Sequence, residues 1–233
     1  MKSQTSESVQ SESKLNSDEP SSLLSLDFLE EACQKFMLEQ VVHDTAHDIN
    51  HIKRVVKNAK QIAVDEQADI WVVTAAAWLH DCVTFPKNHP DNKRASGFAA
   101  KAACEFLSSI GFPENKLAGV FHAVEAHSYS ANITATSLEA KVVQDADRLD
   151  GLGAVGVARC YAVAGKLGSK LYNEHDPFCQ ARQPDSKTAA VDHFYEKLFK
   201  TATTLQTATA KRIAEQRVEF MEDFLTQLRT EIS

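Results

Sequence analysis

The sequence has few cysteines and no long hydrophobic run. Its five cysteines are scattered, odd in number and never spaced as CxxC, a pattern that fits reduced thiols in a cytoplasm better than disulfides. No stretch approaches the roughly 18–20 consecutive apolar residues that span a bilayer, and residues 1–22 lack the apolar segment of a signal peptide. We therefore expect a cytoplasmic protein that is not inserted in a membrane.

The sequence also lacks an excess of positive charge. Its formal net charge is −7 at pH 7, which argues against broad electrostatic attraction to nucleic acid polymers or anionic membranes. A local basic pocket for one small phosphorylated molecule is compatible with this balance. The expected partner is therefore a small anionic substrate, and the charge does not bear on the oligomeric state.

Runs that alternate polar and apolar residues, as half-buried strands do, are missing as well. From Leu23 onward the apolar residues recur with a period close to 3.6, which predicts an all-α fold. With 233 residues, 43% of them hydrophobic, the chain can bury a substantial core. Residues 1–22 are rich in Ser, Glu, Gln and Asn and predict a disordered tail. Residues 23–233 are therefore expected to form a single helical domain.

Helix boundaries follow from capping residues and from the apolar period. Ser25 is a candidate N-cap of the first helix, and the third is expected to begin after Asp69. Thr136, followed three residues later by Glu139, forms a capping-box pattern that opens the sixth helix. The second helix is predicted to bury one stripe: Ile52, Val55, Val56, Ala59, Ile62 and Ala63. Other helices are expected over residues 94–110, from Pro113 at the first helical position to His127, over 188–200 and over 205–231, with a long loop over 165–187.

Three glycines, Gly151, Gly153 and Gly156, superficially suggest a phosphate-binding glycine fingerprint. No strand is predicted before them, and Leu, Val and Ala fill the gaps between them, as in close helix packing. We therefore interpret these glycines as a packing feature.

Four side chains suited to a metal ion lie on three separate helical segments: His51, the adjacent pair His80 and Asp81, and Asp147. Imidazole and carboxylate ligands without thiolate suit Mn, Fe, Co, Zn or Mg and leave coordination positions open for water and substrate. Asp147 lies one turn from the apolar Val143, so it is expected to point inward. A local alternative is a trio at spacing four: His43, His47 and His51.

These residues stand in segments that resemble the successive motifs of the HD-domain metal-dependent phosphohydrolase superfamily. The motif segments are residues 51–55 (HIKRV), 77–81 (AWLHD) and 143–150 (VQDADRLD). Two further segments, residues 127–130 (HSYS) and 193–198 (HFYEKL), and the continuation from Gly151 to Arg159 are similar to a YedJ/YpgQ-like bacterial subgroup of that superfamily. The resemblance covers roughly residues 25–231.

The resemblance implies a metal site, a fold and a reaction. It makes His51, His80, Asp81 and Asp147 the ligands of a divalent ion, for which we favour Mn. It also implies an all-helical domain that hydrolyses a phosphate ester or anhydride, with a nucleotide as the usual substrate and a nucleoside triphosphate giving pyrophosphate as the favoured variant. A non-catalytic sensor that binds metal and nucleotide is the alternative, and a helical scaffold with incidental histidines is a third.

At the position of a possible catalytic base, the sequence departs from the pattern of some members of the superfamily. Where certain HD nucleotidases carry a carboxylate three residues after the HD aspartate, this sequence has Thr84. Asp81 can orient the attacking water, and Asp150 and Glu125 are the candidate substitutes for the base. Candidates for binding the substrate phosphate are Lys87, Lys93, Arg94, Arg148, Lys197, His127 and His193. His122 and His127 are also candidates for a second metal ion.

Overall fold

The computed structural model describes residues 24–40, 49–86 and 89–232. Within these ranges it contains α-helices, two short 3₁₀ turns (Asn92–Arg94 and Tyr129–Ala131) and one π-helical turn (Phe194–Leu198), and the extended structure is limited to an isolated bridge between Lys170 and Ala189. The α-helices are α1 (Leu26–Gln40), α2 (Ile49–Glu66), α3 (Ile70–Leu79), α4 (Ala95–Ser109), α5 (Glu114–His127), α6 (Leu138–Asp150), α7 (Gly153–Leu167), α8 (Phe199–Ala202) and α9 (Ala208–Ile232). The all-α prediction is confirmed.

Several predictions concern residues outside these ranges. The tail predicted over residues 1–22, the alternative ligands His43 and His47, and the candidate phosphate contact Lys87 all lie outside the described residues. In the described part of the chain, no helix is long and apolar enough to cross a membrane.

Helices α2 and α3 form the centre of the bundle, and both match the sequence prediction. The predicted stripe of α2 is buried, and His51 is buried with it. Asp69 caps α3 because its carboxylate accepts hydrogen bonds from the backbone N–H groups of Trp71 (3.0 Å) and Val72 (3.3 Å). The helix is buried from Val72 to Leu79, so it passes through the core and delivers its C-terminal end there.

Helices α1, α4, α5 and α6 surround this centre. Ser25 begins α1 as predicted, since its Oγ accepts a hydrogen bond from the backbone N–H of Phe28 (3.1 Å). Helices α5 and α6 pack against each other and α6 packs against α2, while α4 packs on the outer side of α5. Pro113 is the N-cap of α5, one position earlier than the first-turn place predicted for it.

The start of α6 differs from the predicted capping box. Ser137 is the N-cap, and its side chain accepts from the backbone N–H of Ala140 (3.1 Å). Glu139 instead accepts a hydrogen bond from the backbone N–H of Asp69 (3.2 Å) and so ties α6 to the start of α3. The prediction that Thr136 caps α6 was wrong, because the N–H and the hydroxyl of Thr136 lie 3.1 and 2.9 Å from His122 Nε2 and bind it instead.

The glycines after α6 allow two backbone segments to approach closely. A Cβ atom added at Gly156 would lie 2.2 Å from the carbonyl oxygen of Gly151, a distance that no side chain tolerates. Gly153, with φ of 68°, begins α7 against the stem of Arg217. The interpretation of these glycines as a packing feature is confirmed.

The C-terminal part is less regular than predicted. The helix expected over residues 188–200 consists of the π-helical turn followed by the short helix α8, and the segment before it is irregular. Arg182 holds this irregular segment through two hydrogen bonds to the buried carboxylate of Asp192, at 2.5 and 2.7 Å. The last helix, α9, packs against α7 and closes the bundle.

Candidate metal centre

Three helices bring the predicted ligands together. His51 comes from α2, His80 and Asp81 follow the last residue of α3, and Asp147 comes from the last turn of α6. Nitrogen and oxygen atoms of His51, His80 and Asp81 all lie within 4.8 Å of one another. Asp147 Oδ1 lies 3.5 Å from His51 Nε2, on the side where Asp81 Oδ2 lies 3.9 Å from the same nitrogen. The Asp147 side chain is 30% exposed, so it stands at the mouth of the cluster instead of pointing fully inward.

His80 provides the test of whether this cluster suits a cation. Its ring is fully buried, and Nδ1–H donates to the carbonyl oxygen of Ala77 at 2.8 Å, which leaves the lone pair on Nε2. Nε2 is buried and has no hydrogen-bond partner among the described residues, although it lies 3.5 Å from Asp81 Oδ2. Burial lowers the pKa of His80, which favours the neutral ring. A neutral imidazole with an unused buried nitrogen beside carboxylates fits a divalent ion.

His51 is oriented by a buried carboxylate on its other side. Its Nδ1 lies 2.8 Å from Asp150 Oδ2, which directs Nε2 towards Asp81 and Asp147. Burial opposes protonation of His51, but the hydrogen bond to Asp150 and the negative charge of Asp147 outweigh burial and raise its pKa. Metal-ligating histidines commonly donate their second ring nitrogen to a carboxylate in this way.

Asp150 is fully engaged in holding this arrangement. Besides His51 it accepts hydrogen bonds from Arg54 Nε at 2.6 Å and from Arg159 Nη1 at 2.8 Å, and its side chain is 2% exposed. Although burial raises the pKa of Asp150, its hydrogen bonds with His51 and Arg54 lower it well below the ordinary range. Contacts with described residues engage both oxygens of Asp150, which suits a residue that positions His51 better than one that takes a proton from water.

His127 joins the cluster from α5. Its Nδ1–H donates to the carbonyl oxygen of Val124 at 2.6 Å, and its Nε2 lies 3.4 Å from Asp81 Oδ1. The His127 and His80 rings meet edge to face with their centroids 4.9 Å apart. Burial opposes protonation here too, but the hydrogen bond to Asp81 outweighs it and raises the pKa of His127. His127 therefore flanks Asp81 on the side away from His51.

Three further residues were considered for the base or for a second metal ion: Glu125 and His122 on α5, and Thr84 in the loop after α3. None of the three faces the cluster. Glu125 binds His122 Nδ1 at 3.3 Å, and two residues along a helix are about 200° apart, so Glu125 lies on the opposite face of α5 from His127. Both ring nitrogens of His122 are occupied, by Glu125 and by Thr136. Thr84 is exposed in the loop that follows α3. These contacts favour neither Glu125 as the base nor His122 as a ligand of a second metal ion.

The candidate phosphate contacts are spread over two regions. Arg148 lines a cavity of about 530 Å³ together with Lys93, and its Nη1 donates to the carbonyl oxygen of Thr204 at 2.7 Å. Arg94 is directed at Asp91 (3.2 Å) and lies over the ring of Phe98. His193 and Lys197 lie on the C-terminal segment, half-buried and exposed respectively. Of these five candidates, Lys93 and Arg148 line this cavity.

Sequence reasoning missed Arg54 and Arg159 as parts of this site. Arg54 stands one turn after His51 on α2, a spacing that placed both on one face of the helix. Arg159 reaches Asp150 from α7. The two residues are nine positions apart in the sequence, and this spacing did not indicate that they are in contact. The arginines neutralise a carboxylate that would otherwise be buried without compensation.

Comparisons with known proteins agree with this architecture. A family model described as "HD domain" matches residues 48–152. The uncharacterized protein YpgQ of Bacillus subtilis is 33% identical over 192 residues, which are 81% of this chain and 85% of that protein. The crystal structure of Bacillus subtilis YpgQ in complex with ADP superposes with a TM-score of 0.68 at 32% identity, covering 88% of this chain and 95% of that one. An HD-superfamily hydrolase from Bacillus thuringiensis gives a TM-score of 0.69 at 30% identity, with 88% and 96% covered.

Proposed function

Because the chain belongs to the HD-domain family, we propose that it is a metal-dependent phosphohydrolase that acts on a nucleotide. The observation that carries this proposal is the Nε2 of His80, which has no hydrogen-bond partner among the described residues and is buried beside the carboxylate of Asp81. A structural polar cluster would satisfy that nitrogen with a hydrogen bond, whereas a ligand for a cation must keep it open. The family to which the chain belongs supports the same interpretation.

In this proposal each side chain has a distinct role. His51, His80, Asp81 and Asp147 would hold the ion through two ring nitrogens and two carboxylates. The chemistry supplied by a divalent ion there would be a lowered pKa of a coordinated water and neutralised charge on the phosphoryl oxygens. Mn is the ion we favour, since the mixed nitrogen and oxygen ligands suit it, although the same ligands also suit Mg, Fe, Co and Zn.

Asp81 and His127 act together on the side facing away from His51. With one oxygen near His80 and the other 3.4 Å from His127 Nε2, Asp81 can orient an attacking water. Although burial opposes protonation, Asp81 raises the pKa of His127 and so favours the form with a proton on Nε2, which would donate a hydrogen bond to a phosphoryl oxygen next to Asp81. Asp150, whose two oxygens are both engaged by described residues, positions His51 and does not take part in proton transfer.

A nucleotide is the substrate class that the relatives favour. The related protein YpgQ was crystallised with ADP, and Arg148, the residue after Asp147, lines a cavity together with the cationic Lys93. Within that class we favour a nucleoside triphosphate that is cleaved to pyrophosphate and a monophosphate.

The proposal is tested by assaying the purified protein against a panel of nucleotides with Mn²⁺, with Mg²⁺ and with a chelator. We expect metal-dependent hydrolysis that Asp81→Ala reduces to background, with Asp65→Ala on the outer face of α2 as the control that retains it. Metal and nucleotide binding without hydrolysis would identify a sensor. If the chelator changes neither the activity nor the melting temperature, the metal centre is contradicted.

A further inference from the structure

A second feature of the molecule is the cavity of about 530 Å³ between the 3₁₀ turn before α4, the segment that joins α5 to α6, and α6 itself. Its size lies within the range of small-ligand pockets, roughly 300–1,000 Å³. The residues with polar side chains that line it are Lys93, Ser128, Tyr129, Ser130, Asn132, Thr134, Gln144 and Arg148. None of the described residues that line this cavity is an aspartate or glutamate, although the chain has a net charge of −7.

Two residues that line the cavity directly follow residues of the metal centre in the chain. Ser128 follows His127, whose Nε2 lies 3.4 Å from Asp81. Arg148 follows Asp147, whose Oδ1 lies 3.5 Å from His51. Consecutive Cα atoms are about 3.8 Å apart, so two stretches of the cavity wall are continuous with the backbone that carries His127 and Asp147.

The walls are held in place by their own hydrogen bonds. Arg148 is anchored at the carbonyl oxygen of Thr204, and Gln144 Nε2 donates to the carbonyl oxygen of Ala126 at 2.7 Å. The hydroxyls of Ser128 and Ser130 lie 2.9 Å apart in the connecting segment. These contacts hold Arg148, Gln144 and the two hydroxyls in place, so a bound anion would meet donors that are already positioned.

We propose that this cavity binds a phosphate group of the substrate other than the one that is attacked. Lys93 and Arg148 supply the positive charge, and the hydroxyls of Ser128, Ser130 and Thr134 supply further donors. This inference rests on the proposed function, because it assigns the cavity to the same substrate. It predicts that a substrate with two or three phosphates gains affinity here, whereas a monoester with one phosphate does not.

A second groove provides an internal comparison. It is lined by Lys53, Lys57, Lys60 and Arg217, but also by Glu30, which pairs with Lys60. Lys53 lies two residues from His51, about 200° around α2, so this groove lies on the other side of that helix from the metal centre. Lys57 is exposed there and serves as a matched lysine whose removal tests for a general loss of positive charge.

The test compares Lys93→Ala, Lys93→Arg and Lys57→Ala with the unmodified protein in the presence of Mn²⁺. Loss of one exposed charge-assisted hydrogen bond weakens binding by roughly tenfold. We expect Lys93→Ala to raise KM for ATP about that much with little change for p-nitrophenyl phosphate, Lys93→Arg to restore most of the affinity, and Lys57→Ala to leave both substrates unaffected. Equal effects on both substrates, or none on ATP, would overturn the assignment.

A binding measurement separates failure of this inference from failure of the proposed function. If the unmodified protein hydrolyses neither compound, equilibrium binding of ADP with Mn²⁺ still tests the cavity. Weaker ADP binding by Lys93→Ala, with Lys57→Ala unchanged, would support the cavity while refuting the hydrolase. Unchanged ADP binding by Lys93→Ala, or no ADP binding by the unmodified protein, would refute the cavity as a phosphate subsite.

Discussion

His51 Nδ1 lies 2.8 Å from Asp150 Oδ2, and the Asp150 side chain is almost completely buried. This contact turns the other nitrogen of His51 towards Asp81 and Asp147. Arg54 and Arg159 hold the same carboxylate from α2 and α7. The orientation of His51, one of the proposed ligands, therefore depends on contacts among the three helices α2, α6 and α7.

Replacement of Asp150 by Asn is expected to weaken metal binding without removing a ligand. Partners of this kind typically contribute 10–100-fold to metal affinity, so we expect Asp150→Asn to raise the Kd for Mn²⁺ by about that factor in calorimetric titrations. Asp65→Asn, at a partly exposed pair with Arg212, is the matched control and should bind as the unmodified protein does. An unchanged Kd in Asp150→Asn would refute the positioning role.

The raised pKa of His51 predicts how metal binding depends on pH. Since Nδ1–H is held by Asp150, an added proton goes to Nε2, the atom that the metal requires. Metal affinity should therefore decline as the pH falls through a value above the ordinary histidine pKa of about 6.5. In Asp150→Asn the pKa of His51 loses its main raising contact, and the decline should move to lower pH. A decline at the same pH in both proteins would contradict this account.

The close approach of Gly156 to Gly151 predicts that two similar glycine-to-alanine substitutions change the free energy of unfolding in opposite directions. Gly156→Ala places a methyl group against the carbonyl oxygen of Gly151, and overpacking of this kind costs about 1–3 kcal/mol. Gly97→Ala in α4 meets no atom within 4 Å and should stabilise the protein by up to about 1 kcal/mol. Urea unfolding of both variants measures the difference. Equal stabilities would mean that α7 does not begin against Gly151 as described.

The buried pair of Arg182 and Asp192 predicts a pH-dependent stability. Burial raises the pKa of Asp192, but its hydrogen bonds with Arg182 and with the backbone N–H of Asp185 outweigh burial and lower it. The pair therefore contributes stability above the unfolded-state pKa of about 3.9, and loses it as the pH falls through the lower folded-state pKa. Asp192→Asn should lower the free energy of unfolding at pH 7 by about 3 kcal/mol.

The difference between Asp192→Asn and the unmodified protein should narrow as the pH is lowered below about 4, because the carboxylate then becomes protonated in the unfolded chain. Denaturant unfolding at several pH values provides the measurement. A difference in unfolding free energy that stays constant with pH would contradict the ion pair as its cause.

Much of the fold was predictable because local signals agreed with tertiary packing. The apolar stripe of α2 and the cap at Asp69 depend on residues within a few positions of each other, and both are confirmed. The pairing of Glu139 with the start of α3 was not predictable, because its partner Asp69 lies 70 residues away. That contact, together with the binding of Thr136 to His122, replaced the expected capping box.

The candidate site, like the fold, was predictable from the sequence only in part. The residue types of His51, His80, Asp81 and Asp147 indicated a metal site from the sequence, and the fold brings their side chains to one place. The role of Asp150 could not be separated from that of a base until its contacts with Arg54 and Arg159 were known. Sequence spacing identifies which groups can react, whereas burial and competing hydrogen bonds decide which of them are occupied.

The most direct test of the metal centre is a calorimetric titration of the metal-free protein with Mn²⁺, repeated with His80→Gln. His80 is chosen because its buried Nε2 has no hydrogen-bond partner among the described residues. The account predicts saturable Mn²⁺ binding by the unmodified protein, and a loss of at least about 100-fold in affinity in a His80→Gln protein that remains folded. Equal Mn²⁺ affinity in the two folded proteins would contradict the account.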